Sequence, residues 1–349
     1  MSRRLDLALA VAAFMLIVVA WTAPIVPYEY DAAGWWLPRV EIERARAGAV
    51  VGLLRSTATL PRLVPWLGVH RAPEGAPIVI GALARWLPGA LPAARISALW
   101  TSVLLVAMLV AIRRRARDDD AVGFAALLGV LLCPFILVHL RAGYLDLSLG
   151  ALAALFVMAI MDGLGKPARR WWQLRVLLFG SLLAQWKLEG ALHAFTLMAA
   201  VTLCAERTPW RERLTVAAFA GIVVGVNLLV WQLLLWVLPP SPLPPSLFVW
   251  THFRPSTLIP FGFQVLRHAI DFTTWGAVWP VVLGAALTER RWAALVACAF
   301  SLALFAVGYA AGPANMIEWA AQGIQLNRLL MQMLIAILPL VVLPAASTA

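Results

Sequence analysis

Lysine is almost missing from this chain. It occurs only as Lys166 and Lys187 in 349 residues, and arginine supplies the rest of the 28 basic residues. Charge of any sign is scarce, at 13%, so no stretch is long and polar enough to form a separate soluble domain. The 3 cysteines, Cys133, Cys204 and Cys298, each lie in an apolar segment. They form neither a disulfide framework nor a metal-ligand spacing. There is no P-loop, no GxGxxG after a strand and no GxSxG elbow, which argues against a nucleotide-driven pump and a serine hydrolase. His70, His193, His252 and His268 form no HExxH motif, and a histidine without a partner at ligand spacing reads as structural. No internal repeat, low-complexity tract or domain linker divides the chain. It reads as one integral-membrane domain, 1–349.

What is abundant is apolar: 62% of the residues are hydrophobic. Over this length that composition means a polytopic membrane protein. Crossing ~30 Å at ~1.5 Å per residue takes about 20 residues. The spacing predicts an all-α transmembrane bundle of about ten spans, near 5–26, 93–112, 119–140, 143–162, 172–186, 188–205, 213–238, 271–287, 292–311 and 327–345. The 172–186 segment is short and reads as tilted or half-inserted. Met1-Ser2-Arg3-Arg4 precedes an apolar run long enough to span, with no clean small-x-small cleavage site, so the first helix is expected to be retained. A long loop, 27–92, follows it. Within this loop, 34–51 has the pattern of a helix lying in the headgroup plane, with Glu41–Arg44 pairing along its polar side. Residues 76–88, bounded by Pro77 and Pro88, read as a re-entrant or interfacial helix.

The net charge of +11 would suggest nucleic-acid binding in a soluble protein. Here most arginines flank spans, so bilayer orientation explains them and no nucleic-acid partner is expected. Arg3-Arg4, Arg113 to Arg117, Lys166 with Arg169-Arg170, Arg207 to Arg213 and Arg290-Arg291 fall on every second short loop. This positive-inside pattern places both termini in the cytoplasm. The other loops share the opposite face, where Glu29, Asp31, Arg141 to Asp146, Lys187 to Glu189, a Pro-rich stretch over 239–260 and Glu318 to Arg328 gather.

Each polar residue there has two readings. Asp31, in Tyr30-Asp31-Ala32 beside Trp35-Trp36, is either the N-cap of the helix that follows or a general base kept from water by the aromatics. Glu29 is a second acid, a metal ligand or a solvated loop residue. Asp146 either caps a helix or, with an acid from the first loop, holds an acceptor or a divalent metal that bridges phosphates. Arg141 either marks the water boundary or, with Lys187, offers positive charge to a donor phosphate. Lys187 interrupts an apolar region, where a charge costs ~2.5–3.5 kcal/mol. It either pairs locally with Glu189 or holds a lipid-linked phosphate. Arg328 either anchors the last span or supplies a second phosphate contact. Inverting transfer from a sugar phosphate needs a base on the acceptor and cations at the leaving phosphate, and this residue set offers both. A transporter or flippase and a non-catalytic assembly protein are the competing classes. Charges gathered at one face, rather than at the midplane of two repeats, favour the enzyme.

Tyr30-Asp31-Ala32 with Trp35-Trp36 in a long outer loop, Arg95 opening a span, Arg141 to Asp146, Trp186-Lys187-Leu188-Glu189-Gly190 and Asn327-Arg328-Leu329-Leu330 together resemble bacterial GT-C fold glycosyltransferases. Those enzymes include protein O-mannosyltransferases and lipid A aminoarabinose transferases. The resemblance implies a bacterial inner-membrane enzyme with an extracytoplasmic site and inversion at the anomeric carbon. A hexosyl or pentosyl group would pass from a polyprenyl-phosphate donor to a lipid, glycan or protein acceptor. It carries the base onto Asp31, the second-loop acid onto Asp146, and phosphate contact onto Lys187 and Arg328. The family's adjacent Asp–Glu pair is here Asp31-Ala32, and the chain is short and lacks a terminal soluble domain. A divalent cation is therefore only a candidate cofactor.

Overall fold

The computed structural model describes residues 2–22, 37–47, 75–87, 91–116, 121–142, 145–165, 170–237, 253–312 and 316–343. All regular structure among them is helical. The first helices are α1 (Ser2–Thr22), α2 (Leu37–Ala45), α3 (Gly75–Ala84), α4 (Ala93–Arg113), α5 (Ala121–Leu131) and α6 (Pro134–Arg141). Then come α7 (Asp146–Gly165), α8 (Trp171–Trp186), α9 (Leu188–Cys204) and α10 (Trp210–Val237). After a short 3-10 turn, the chain ends with α11 (Leu258–Ala269), α12 (Phe272–Trp275), α13 (Val278–Thr288), α14 (Trp292–Ala311), α15 (Met316–Gln322) and α16 (Ile324–Val342).

Six of these helices, α1, α4, α7, α10, α14 and α16, are long and apolar enough to cross a bilayer, which makes the chain an integral membrane protein. The apolar stretches between them are interrupted. Within the 119–140 stretch, Val122–Leu131 and Pro134–Arg141 are two helices bent by 44°, because Pro134 has no N–H to continue the ladder and restricts the residue before it. The pair adds a seventh crossing if counted as one. The 271–287 stretch divides at Gly276, whose φ of +56° suits glycine. Asp271 caps the short α12, accepting from the Thr273 amide at 3.0 Å. The Thr273 and Thr274 hydroxyls also donate to its carboxylate, at 2.7 and 2.6 Å. The helices α8 and α9, 16 and 17 residues long, meet at Lys187 in extended backbone (φ −156°, ψ 161°).

The hub is α7. It is apolar all round, as a helix buried on every side must be, and it packs against α4, α8, α9 and α16. Small residues permit the close approach. A Cβ on Gly150 would lie 2.8 Å from that of Ile335, and one on Gly163 would lie 2.8 Å from the Trp172 ring. In contrast, α1 and α10 bury only 22% and 28% of their spanning windows and form the outer surface.

Ion pairs identify the two ends of the bundle. At one end Arg113 pairs with Asp6 at 2.6 Å, and Asp162 accepts from Arg115 at 3.0 Å and pairs with Arg175 at 2.9 Å. This joins the start of α1 and α8 to the close of α4 and α7. At the other end Arg95, in the first turn of α4, donates to the carbonyls of Ala20 and Trp21 at the close of α1. The helices of the first loop are fastened at that end. Glu43 of α2 accepts from Arg85 at 2.9 Å, Glu41 accepts from the Ala93 amide at 2.8 Å, and Arg44 donates to the Leu91 carbonyl at 2.6 Å. The Glu41–Arg44 pair is present at 3.6 Å. At 10 residues, α3 is too short to span.

Candidate functional site

Lys187, Arg328 and Asp146 are far apart in sequence but meet at the end of the bundle opposite the Asp162 cluster. Asp146 opens α7 and is fully buried. A helix amino terminus favours a carboxylate, but the strongest partners come from other helices. Lys187 Nζ donates to Oδ1 at 2.9 Å, and Arg328 Nε donates to Oδ2 at 2.7 Å. Gln332 Nε2 also donates to Oδ1. Lys187 reaches the carboxylate because the α8–α9 junction leaves helical geometry at that residue. Arg328 and Gln332 are four residues apart and so share one face of α16.

A second set of contacts positions these groups. Gln332 spends its amide on Asp146, so its oxygen accepts from His193 Nε2, 3.1 Å away. Trp186 Nε1 donates to Ser148 Oγ at 2.9 Å, and that hydroxyl donates to the Leu145 carbonyl at 2.7 Å. Trp186 stacks on Trp100 with centroids 6.2 Å apart. Trp275 Nε1 donates to Asn327 Oδ1 at 3.3 Å, beside Arg328. The turn into α16 passes through Gly323 (φ +79°), against which His268 is packed.

The α8–α9 hairpin has almost no clearance. Gly190 donates to the Lys187 carbonyl at 3.0 Å, and a Cβ on Gly190 would run into the Leu183 carbonyl oxygen. Gly190→Ala is expected to open the hairpin and destabilise the protein by about 1–3 kcal/mol, as overpacking does. Thermal unfolding in detergent checks this. A melting curve superimposable on wild type would show that the backbone yields freely here.

No family model, curated protein or solved structure matches this chain.

Of the residues singled out from sequence, the structure brings Asp146, Lys187 and Arg328 into direct contact. Lys187 pairs with Asp146 rather than with Glu189, which is half-buried in the first turn of α9. Arg141 closes α6 and is partly buried. Asp31, Glu29, Tyr30 and Trp35 lie outside the described residues. Among the described residues no three His, Cys, Asp or Glu side chains form a metal-binding group. The donors around Asp146 are cations and an amide, a set that suits a counter-ion and would repel a divalent metal. Sequence reasoning passed over Gln332 and read His193 only as structural. The usable signal was Gln332 recurring one turn after Arg328 inside an apolar span, because an intramembrane polar residue needs a partner.

Chemically, the centre holds a lysine and an arginine side chain in fixed positions, both donating to one carboxylate. These two cationic side chains, Lys187 from the α8–α9 junction and Arg328 from α16, thus converge at a buried location. Such an arrangement can stabilise an anion that develops beside it.

Proposed function

We propose that this chain is an integral-membrane inverting glycosyltransferase that uses a polyprenyl-phosphate sugar donor. The observation that supports this reading best is the convergence of Lys187 and Arg328 on one carboxylate, at the end away from the arginine-rich loops. Positive-inside orientation puts that end outside the cytoplasm. The proposal includes about ten crossings, counting the bent α5–α6 pair, the short α8 and α9 and the α12–α13 region. It includes both termini in the cytoplasm of a bacterial inner membrane.

In this mechanism Asp31 takes the proton from an acceptor hydroxyl. The acceptor oxygen attacks the anomeric carbon, and the bond from that carbon to the phosphate oxygen breaks. The electron pair leaves with polyprenyl phosphate. Lys187 and Arg328 stabilise that charge, and Asp146 with Gln332 keeps both cations in place. The polyprenyl tail remains among lipid chains, which accounts for a site at the membrane edge. Tyr30 and Trp35 limit water near the base.

The second reading is a transporter of an anionic or lipid-linked substrate. The buried His193–Gln332–Asp146 chain favours it, since such chains mark transport and proton paths. Turnover separates the two. Protein in nanodiscs is incubated with a panel of polyprenyl-phosphate sugars and candidate acceptors, and free polyprenyl phosphate is measured. Release by wild type is expected. Lys187→Met, which leaves Asp146 with Arg328 and Gln332, is expected to reduce kcat/KM by about 10- to 100-fold, the worth of one charged hydrogen bond. Tight donor binding without release would shift the assignment to transport.

A further inference from the structure

The helix α11 is oriented against what water would dictate. Ile259, Phe263, Leu266 and Ile270, along it and at its close, are 85%, 64%, 59% and 62% exposed. At ~100° per residue these four fall within about 60° of one line. The opposite face turns inward: Phe261 and His268 are buried and Gln264 is half-buried. The helix therefore turns His268 and Gln264, with Phe261, into the protein and four large apolar side chains out of it. Phe272, just beyond, continues the apolar exposure at 73%.

Three observations say what covers this ridge. First, α11 has 12 residues, about 18 Å, and cannot cross a bilayer. Second, its position is level with the ends of spans. It packs against α14, α15 and α16, and Arg254 just before it donates to the carbonyls of Ala310 and Gly312 at the close of α14. Third, the ridge is one line of side chains, far short of the roughly 20–30 residues a side of a stable protein interface. Arg267 is exposed on the flank of the ridge, where a long basic side chain can reach lipid phosphates.

We infer that α11 is an interfacial helix that lies in the lipid leaflet at the Asp146 end of the molecule, with its ridge among the acyl chains and Arg267 at the headgroups. This assignment is independent of the proposed activity. Because the inner face of α11 meets Gly323 through His268 and Tyr309 through the Phe261 ring (centroids 4.7 Å apart), the lipid-held helix also forms a wall beside the start of α16, which carries Arg328.

Spin labels test it. In a Cys204→Ala background (Cys133 and Cys298 are buried), nitroxides are attached at Ile259→Cys, Phe263→Cys, Leu266→Cys, Ile270→Cys and Arg267→Cys, in nanodiscs of mixed zwitterionic and anionic phospholipid. Collisions with oxygen should exceed those with a water-soluble nickel chelate at the four ridge positions, and the ratio should fall at Arg267→Cys. High nickel access along the ridge would put it in water and overturn the inference. Low access to both reagents with immobilised spectra would mean that a second copy or another protein covers the face, which overturns it equally.

Discussion

Asp146→Asn is expected to lower the unfolding free energy by about 3–5 kcal/mol, the cost of leaving buried charges without their partner. Asparagine is nearly the same size, so packing around α7 is preserved and the effect is electrostatic. Lys187 and Arg328, 7% and 8% exposed, would face a neutral amide and each other. Gln332 would lose the acceptor that orients it, and with it His193. A loss of this size is a large part of the roughly 5–15 kcal/mol that holds a typical domain together. The order of effects in a mutant set is the sharper check. Lys187→Met should cost less than Asp146→Asn, because Arg328 and Gln332 still serve the carboxylate. Asp146→Asn combined with Lys187→Met should recover part of the loss, because one of the two cations that pair with the Asp146 carboxylate is gone. Unfolding in detergent or nanodiscs measures all three. A change under about 1 kcal/mol for Asp146→Asn, the scale of solvated pairs, would show that water reaches the trio.

The second large effect is on turnover. Asp31→Asn is expected to reduce transfer by about 10²–10⁴-fold, the usual contribution of a general base. This substitution separates the two roles that sequence allows for Asp31. Asparagine caps a helix amino terminus about as well as aspartate, so a residue that only caps would tolerate the change with stability and activity intact. A base would not, since the amide cannot take a proton from the acceptor. The variant should fold, bind donor with unchanged affinity and fail to release polyprenyl phosphate. Equal release by wild type and variant would remove Asp31 from the mechanism while leaving the Lys187–Arg328 contribution open to its own test.

What could be read without a structure was set by solvation. A charge inside an apolar run is expensive wherever the chain goes, so Lys187 stood out, while Asp146 and Arg328 were singled out at the starts of spans with a capping or anchoring role beside a functional one. The apolar runs themselves announced membrane helices, and the arginine loops divided the chain into two faces. Helix breaks were less legible. The 119–140 stretch read as one span, so the bend at Pro134 was missed. The break at Lys187 fell between the spans 172–186 and 188–205, but its extended backbone depends on Gly190 lying against Leu183. The inside-out placement of α11 was also hidden. Amphipathic spacing tells which residues share a face, and only the neighbours tell which face turns inward.

Sequence alone therefore determined the solvent each segment prefers: lipid for the long apolar helices and a polar neighbour for the few charges set among them. Tertiary structure alone decided which of those residues meet. Asp146 and Arg328 are 182 positions apart, and no periodicity couples positions at that range. Their contact follows from α7 and α16 packing closely through Gly150, and Lys187 joins them only because the α8–α9 hairpin turns at that depth.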